Sequence, residues 1–189
     1  MSDLLIIGGP NGAGKTTAAK TVLPRFTTIR EFVNADEIAR GLSPFNPDGA
    51  ALSAGRIMLK RMDSLIETCT SFAFETTCAG RGHYELIQRC QKIGYRVTLL
   101  FFWLPSVDLA LARVARRVSQ GGHDIPSEVI KRRYHAGLTN LVRLYWPIVQ
   151  DGAIFDAEYT PARDIIEKSQ GSGETVHNPV LWQTIQKGR

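Results

Sequence analysis

A glycine-rich segment near the start of the chain carries the strongest pattern in the sequence. The motif G-x-x-x-x-G-K-[ST] is matched at every position by Gly9, Pro10, Asn11, Gly12, Ala13, Gly14, Lys15 and Thr16, and Thr17 follows. An apolar run at 4–7 precedes it, as a buried strand would, and a helix-compatible segment follows it. Backbone N–H groups in such a turn form an anion site at a helix N-terminus. The segment therefore predicts an ATP or GTP site in which Lys15 contacts the β- and γ-phosphates and the Thr16 hydroxyl ligates Mg²⁺.

Strand-like and helix-like segments alternate along the remainder of the chain. Apolar runs predict strands at 4–7, 30–34, 72–74, 95–104 and 153–155. Helical periodicity predicts helices at 14–23, 48–70, 84–93, from 106, at 127–145, from 161 and at 179–186. Because strands that alternate with helices form parallel sheets, we predict an α/β fold of the P-loop NTPase and kinase type. It would have about five parallel strands, helices on both faces and an arginine-rich lid.

Prolines and glycines mark the expected ends of several helices. Pro24 is expected to stop the first helix, Gly94 to follow the helix at 84–93, and Pro147 to end the helix at 127–145. Pro161 is expected to open another helix with Thr160 as its cap. The predicted core faces are Ala54, Met58, Met62, Leu65 and Cys69 in one long helix, and Ile130, Tyr134, Leu138, Leu141 and Tyr145 in the other. We predict one kinase domain over 1–168, with its lid at about 113–133. A C-terminal tail over 169–189 would follow, with a loop at 169–174 and a short helix at 179–186.

The composition excludes several classes of protein. The chain has 189 residues, 43% of them hydrophobic and 22% charged, as in globular domains rather than disordered chains. No apolar stretch approaches the roughly 20 residues of a membrane helix, and the first residues lack the basic leader of a secretory signal. Three cysteines, Cys69, Cys78 and Cys90, cannot all pair and form no C-x-x-C. We therefore expect a cytoplasmic protein without disulfides, structural zinc or a membrane partner.

Positive charge is concentrated in the segment 113–133. The formal net charge is +5 at pH 7, and the segment contributes Arg113, Arg116, Arg117, Lys131, Arg132 and Arg133 against only two acids. These residues flank a hinge-like run at 121–126, where His123 is expected to have a structural role. Because arginine makes bidentate contacts to phosphate, the pattern is typical of a lid that closes on phosphates. A solvated helix face is the alternative, whereas nucleic-acid binding is disfavoured because basic and aromatic residues are not interleaved.

Acidic and hydroxyl side chains follow two predicted strands, where a ligand crevice is expected. Asp36 is placed either to take a proton from an acceptor hydroxyl in line with the γ-phosphate or to cap the next helix. Glu75 and the hydroxyls beside it, including Thr77, are candidates to bind a polar substrate or orient a metal-bound water. No acid follows the strongest strand before Asp108, which favours a small-molecule kinase over a switch GTPase or motor ATPase. Arg81 is either a clamp for an anionic substrate or a surface charge.

Together these segments resemble the zeta toxin family. The similarity lies in residues 9–17, in Asn34-Ala35-Asp36-Glu37-Ile38-Ala39, in Phe74-Glu75-Thr76-Thr77, and in 121–126 with Arg132-Arg133-Tyr134; it covers about 4–155. The resemblance implies a P-loop kinase that uses ATP or GTP with Mg²⁺. It also implies phosphorylation of the 3′-hydroxyl of the amino sugar in UDP-N-acetylglucosamine.

The resemblance implies roles for individual residues as well. Lys15 and Thr16 hold the triphosphate and Mg²⁺, Asp36 is the base, and Glu75 and Thr77 contact the sugar nucleotide. Two lid arginines stabilise the transferring phosphoryl group. We assign Arg117 and Arg133 to this pair, with Arg113, Arg116 and Arg132 as competitors.

The sequence also departs from the zeta toxin pattern. The arginine expected two residues after Thr77 is Ala79 here, and Arg81 is the candidate replacement. An antitoxin is a candidate partner, although the N-terminal docking extension of the plasmid toxins is missing from the pattern. Two other functions therefore stay open: a P-loop kinase for a sugar, an antibiotic or a polynucleotide end, and a non-enzymatic nucleotide-binding module.

Overall fold

The strand that precedes the glycine-rich segment lies in the middle of the sheet. The computed structural model describes residues 1–26, 29–122 and 124–188. Its strands are β1 (Asp3–Gly8), β2 (Glu31–Val33), β3 (Phe72–Thr76), β4 (Arg96–Trp103), β5 (Asp151–Asp156), β6 (Arg163–Ser169) and β7 (Gly173–Val176). They form one sheet in the order β2-β3-β1-β4-β5-β6-β7, in which β1 to β5 are parallel and β6 and β7 antiparallel. The predicted α/β P-loop kinase fold is confirmed, with two antiparallel strands added at one edge.

Helices connect the parallel strands and follow the last strand. They are α1 (Lys15–Phe26), α2 (Ala35–Leu42), α3 (Pro47–Glu67), α4 (Gly82–Lys92), α5 (Val107–Ser119), α6 (Ser127–Asn140), α7 (Trp146–Ile148) and α8 (Pro179–Gln186), and a π-helical turn (Leu141–Tyr145) joins α6 to α7. Across the residues that the structure describes, no helix has both the length and the apolar character needed to cross a bilayer. His123, for which the sequence suggests a structural role, lies outside the described residues.

The apolar run of β1 is continuous because both faces of the strand are buried. Leu4 and Ile6 belong to the larger core, whereas Leu5 and Ile7 pack with Ala19 of α1 on the opposite face. At its carboxyl end, Gly8 pairs with Thr76 of β3 on one side and with Phe101 of β4 on the other. The strands that follow β1 in the sequence, β2 and β3, lie on one side of it, and β4 lies on the other side. Because the strand order changes direction at β1, a crevice opens there at the carboxyl ends of the strands.

Three expectations about the first half need correction. Helix α1 continues through Pro24 to Phe26, because a proline in the last turn removes only one backbone donor. The helix expected after Asp36 is α2, and it begins one residue earlier, at Ala35, so Asp36 is not its cap. Cys69 does not belong to the core face of α3: it follows the end of the helix, has φ of 50° and is exposed. The other four predicted core residues of that helix are buried, and Gly94 follows α4 with φ of 91° as expected.

The second half differs from expectation near its prolines. Helix α6 ends at Asn140, and the chain continues through a π-helical turn and across Pro147, which has no N–H for an α-helical ladder. The predicted core face of this helix and turn is buried in full. Pro161 opens no helix; β6 begins at Arg163 instead, and β7 starts inside the predicted loop at 169–174. The sheet therefore continues past residue 168, where the sequence places the end of the kinase domain, and α8 forms as predicted.

Candidate active site

The glycine-rich segment forms a turn between β1 and α1. Gly12 and Gly14 have φ of 80° and 83°, a backbone region that favours glycine. A Cβ atom on Gly12 would also lie 2.9 Å from the carbonyl oxygen of Ala110, so α5 packs directly on this turn. Lys15 is the first residue of α1. The turn thus ends at the N-terminus of a twelve-residue helix, as a phosphate-binding loop requires.

Lys15 is buried and held against the turn. Its side chain is 6% exposed, and its Nζ donates a hydrogen bond of 2.9 Å to the Pro10 carbonyl oxygen. Nζ also lies 3.7 Å from Oε1 of Glu75. Burial lowers the pKa of the Lys15 amine, and the carboxylates of Glu75 and Asp36 oppose this effect. A phosphate group at this place would add negative charge and keep the amine protonated.

Glu75 connects the glycine-rich turn with the loop after β2. Its Oε2 accepts hydrogen bonds from the Thr16 hydroxyl at 2.7 Å and from Nδ2 of Asn34 at 2.8 Å. These contacts arise because β3, which carries Glu75, is the direct neighbour of β1. Hydroxyl and carboxylate oxygens are the ligands that Mg²⁺ prefers, usually one or two of them together with substrate phosphates. The donor set around Thr16 therefore fits Mg²⁺.

Asn34, rather than Asp36, caps helix α2. The Asn34 Oδ1 accepts hydrogen bonds from the backbone N–H groups of Asp36 at 2.8 Å and Glu37 at 3.2 Å. Asp36 lies in the first turn, and among the described residues its carboxylate has no hydrogen bond or ion pair. Of the two roles that the sequence leaves open for Asp36, the capping role falls to Asn34, and the Asp36 carboxylate is available to a ligand.

Two cavities meet at the end of β1. The loop-side cavity, of about 190 Å³, is lined by the glycine-rich turn, Thr16, Thr17, Arg40, Arg113 and Arg117. The strand-side cavity, of about 470 Å³, is lined by Met58, Thr76, Thr77, His83, Arg132 and Arg133. Five residues line both cavities and form a shared wall: Asn11, Lys15, Asn34, Asp36 and Glu75. The structure thus brings together Lys15, Asp36, Glu75 and Thr77.

The arginines of the basic segment divide between the two cavities. Arg117 lines the loop-side cavity and Arg133 the strand-side cavity, so the two assigned lid residues face different spaces. The Arg113 guanidinium donates hydrogen bonds to the carbonyl oxygens of Ala157 at 2.7 Å and Glu158 at 2.9 Å, which ties α5 to the loop after β5. Arg116 is exposed and stands outside both linings, and so does Arg81, which precedes α4.

The wall of the strand-side cavity is held by α6 and the π-helical turn. Nδ2 of Asn140 donates 2.9 Å hydrogen bonds to the carbonyl oxygens of Cys78 and Ala79, and the Tyr145 hydroxyl donates to that of Gly80. Cys78 has φ of 58°, a conformation that these contacts hold in place. The segment 77–80 and the helix that carries Arg133 therefore form one packed unit, which we call the strand-side wall.

The close approach of α6 to residues 77–80 gives a stability prediction. A Cβ atom on Gly137 would lie 2.4 Å from the carbonyl oxygen of Thr77, which is backbone and has little freedom to move. We expect Gly137→Ala to lower the free energy of unfolding by about 1–3 kcal/mol, measured by denaturant titration. Gly55→Ala in α3 is the matched control, because its new Cβ would meet nothing within 4 Å. An equal effect of both substitutions would contradict the predicted clash.

His83 gives a second prediction, on pH dependence. It packs on the Phe74 ring with 4.8 Å between centroids, and its Nδ1 lies 3.3 Å from the Thr76 hydroxyl. Burial lowers the pKa of His83 to about 4 from its ordinary value of 6.5. Between these values the unfolded chain binds a proton that the folded chain does not, so stability falls as pH falls from 6.5 toward 4. At pH 5 the loss is about 2 kcal/mol relative to pH 7.

Denaturant titrations at pH 7 and pH 5 test this linkage. The His83→Gln variant has no titrating imidazole, so its loss of stability over this range should be smaller by about the same 2 kcal/mol. Identical pH dependence in both proteins would show that the imidazole titrates equally in the folded and unfolded chains.

The sequence patterns do not assign a role in the site to several of its residues. Asn34 has a detectable signal, since an asparagine two residues before Asp36 is a helix cap pattern. Asn140 and Tyr145 contact carbonyl groups more than 60 residues away, and no local pattern reports such contacts. His83 likewise becomes a cavity residue only because α4 returns across the end of β3.

Comparisons with known proteins agree with this architecture. A family model described as an AAA domain matches residues 4–139. A Haemophilus influenzae protein, described only as uncharacterised, is 30% identical over 128 residues, which cover 67% of this chain and 88% of that protein.

Two groups of solved structures share the fold. The AvrRxo1-ORF1:AvrRxo1-ORF2 complex with sulphate ions has a TM-score of 0.79 at 16% identity, and the complex with ATP has 0.76 at 17%. Each covers all of this chain, which spans 65% and 64% of those longer chains. The PezAT chromosomal toxin-antitoxin system of Streptococcus pneumoniae has a TM-score of 0.71 at 16% identity, covering all of this chain and 80% of that one. The chain has the fold of a zeta-toxin-like P-loop kinase, and it belongs to the AAA domain family.

Proposed function

We propose that the chain is a kinase that transfers the γ-phosphoryl group of ATP or GTP to a hydroxyl of a small anionic acceptor. The shared wall of the two cavities carries the proposal. A kinase needs a donor site and an acceptor site that meet where the phosphoryl group crosses, and Lys15 and Asp36 line both spaces. The similar fold of the complex that contains ATP supports a nucleotide in the loop-side cavity.

On the donor side, the backbone of residues 9–14 and the N-terminus of α1 bind the phosphates. Lys15 moves from the Pro10 carbonyl to the β- and γ-phosphates, and Arg117 contacts them from α5. Thr16 would hold Mg²⁺, with Glu75 beside it. When bound, the ion would supply positive charge that stabilises the negative charge of the phosphates during transfer.

On the acceptor side, Asp36 accepts the proton of the attacking hydroxyl, and Thr77 and Glu75 orient the acceptor. Arg133 neutralises an anionic group of the acceptor or of the transferring phosphoryl, with Arg132 next to it at the rim. Catalysis by these groups consists of positioning and charge neutralisation, as in other phosphoryl transfers.

UDP-N-acetylglucosamine is the first acceptor to test, because the motifs at 34–39 and 74–77 resemble those of the zeta toxin family. Two observations support a second candidate with a different acceptor. Ala79 stands where an arginine is expected, and Arg81 lies outside the strand-side cavity. A kinase for another sugar, an antibiotic or a polynucleotide end is therefore the second candidate.

The experiment is mass spectrometry of a metabolite extract incubated with the protein, ATP and Mg²⁺, with UDP-N-acetylglucosamine in a parallel sample. We expect one metabolite to gain about 80 Da, the mass of a transferred phosphoryl group. The Lys15→Met variant controls for contaminating kinases. Nucleotide binding with no labelled acceptor would favour a non-enzymatic nucleotide-binding module, and a protein captured only with nucleotide would support it.

An antitoxin partner is part of the same proposal. The PezAT structure belongs to a toxin-antitoxin system, and this chain shares its fold. The expected result is that a second protein co-purifies with the chain and that the purified second protein inhibits phosphoryl transfer; full activity in its presence would contradict the antitoxin role.

A further inference from the structure

His83 places one unpartnered ring nitrogen at the strand-side cavity. The residue lines this cavity together with Asp36 and Thr77. Its Nδ1 lies 3.3 Å from the Thr76 hydroxyl, whereas its Nε2 has no hydrogen bond or ion pair to any residue that the structure describes. Nε2 is not one of the unpartnered atoms that the fold closes off from solvent. This side of the imidazole is therefore open to a ligand.

The contacts of Thr76 decide which ring nitrogen of His83 carries the hydrogen. The Thr76 hydroxyl oxygen accepts a 3.0 Å hydrogen bond from the backbone N–H of Cys78, and within the described ranges Nδ1 of His83 is the one acceptor for its hydrogen. A hydroxyl that donates to Nδ1 leaves the single hydrogen of a neutral imidazole on Nε2. Burial lowers the pKa of His83 to about 4, so the ring is neutral at pH 7.

The lack of charge sets this donor apart from the arginines of the same cavity. Arg132 and Arg133 line the cavity as full positive charges. An anionic group of the acceptor gains most from these cations, because a charge-assisted hydrogen bond is roughly twice as strong as a neutral one. A carboxylate or phosphate beside His83 would instead lose hydration without gaining a counter-charge. An uncharged oxygen therefore suits the position at His83.

We infer that His83 is a specificity-determining residue whose Nε2–H donates a hydrogen bond to an uncharged oxygen of the acceptor substrate. The inference rests on the proposed function, and it assigns a binding contact rather than a named acceptor. It requires that the part of the acceptor at His83 be neutral, whichever metabolite is phosphorylated.

Two substitutions separate the N–H group from the packing of the ring. His83→Phe keeps an aromatic ring against Phe74 and has no polar atom. His83→Gln loses the ring but carries an N–H donor at the same number of bonds from the backbone. We expect kcat/KM for the phosphorylated acceptor to fall about 3- to 10-fold in His83→Phe, and His83→Gln to recover most of this loss. The Kd for ATP should change less than about twofold in both variants.

His135 provides the matched control. His135→Phe makes the same change at an exposed imidazole on α6 that lies outside both cavity linings, so it should leave kcat/KM for the acceptor as in the wild type.

A measurement on the wild-type protein needs no variant that folds. Long-range ¹H–¹⁵N NMR spectra at pH 7 distinguish the two neutral forms of a histidine ring. We expect the Nε2–H form for His83, and a change of its Nε2 signal when the acceptor is added together with a non-hydrolysable ATP analogue and Mg²⁺. A hydrogen on Nδ1, or an Nε2 signal that the acceptor does not move, would overturn the inference.

The outcomes keep the two claims apart. If the wild-type protein transfers phosphate to no metabolite, the proposed function fails, and this inference fails with it. If transfer occurs and His83→Phe leaves kcat/KM intact, only the inference is overturned. A loss in His83→Gln as large as that in His83→Phe would assign His83 a structural role and overturn it as well.

Discussion

Replacing Asp36 with asparagine is expected to lower phosphoryl transfer at least a hundredfold while ATP binds as before. A positioned general base contributes about 10²–10⁴ in rate, and the amide of asparagine takes no proton at neutral pH. The structure supports this assignment, because Asn34 caps α2 and leaves the Asp36 carboxylate to the shared wall. The substitution keeps the size of the side chain, so an effect on kcat will not come from repacking.

Steady-state kinetics with the labelled acceptor measure the loss, and calorimetry with a non-hydrolysable ATP analogue and Mg²⁺ measures binding. Asp108→Asn is the matched control, since Asp108 also lies in the first turn of a helix but outside both cavity linings. Unchanged turnover in Asp36→Asn would show that Asp36 is not the base. Catalysis would then come mainly from the positioning of the phosphates.

The second large effect concerns the arginines on α5 and α6. Arg117→Ala is expected to lower kcat by about 10³, because an arginine that neutralises the transferring phosphoryl group is worth 10³–10⁵. Arg133→Ala is expected to act mainly on the acceptor and raise its KM, since Arg133 lines the strand-side cavity. The exposed Arg116, on the same helix as Arg117, provides the control Arg116→Ala.

Measuring kcat and both KM values for the three variants distinguishes these roles. If Arg133→Ala lowers kcat and Arg117→Ala raises the KM of the acceptor, the roles assigned to the two arginines are wrong for the bound state. A 10³-fold loss in Arg116→Ala would show that α5 rotates when substrates bind.

The sequence predicts those parts of the site whose chemistry is local. The phosphate-binding turn is one continuous motif, and its glycines have the positive φ values that the motif requires. The buried strand before it is also evident, because a strand covered on both faces leaves an unbroken apolar run. Asp36 and Glu75 were predictable as crevice residues since parallel strands present their carboxyl ends at one edge.

Other parts depend on contacts that no local pattern encodes. The two antiparallel strands at the sheet edge, β6 and β7, have a mixed polar pattern, and Thr160-Pro161 resembles a helix start. The side of the crevice that each arginine faces depends on how α5 and α6 pack, which residue spacing alone does not fix. The hydrogen bonds of Glu75 to Thr16 and Asn34 join three separate segments and appear only once the sheet order is known.

The strand-side wall has a consequence for inhibitor design. Asn140 of α6 and Tyr145 of the π-helical turn donate hydrogen bonds to the carbonyl oxygens of residues 78–80, and α6 also carries Arg133. The backbone on this side of the cavity is therefore held in place by contacts within the chain. A rigid ligand whose shape fits this wall loses little conformational entropy on binding, whereas a flexible ligand with the same contact area loses the freedom of several rotatable bonds. Rigid ligands should therefore bind more tightly than flexible ligands of the same charge.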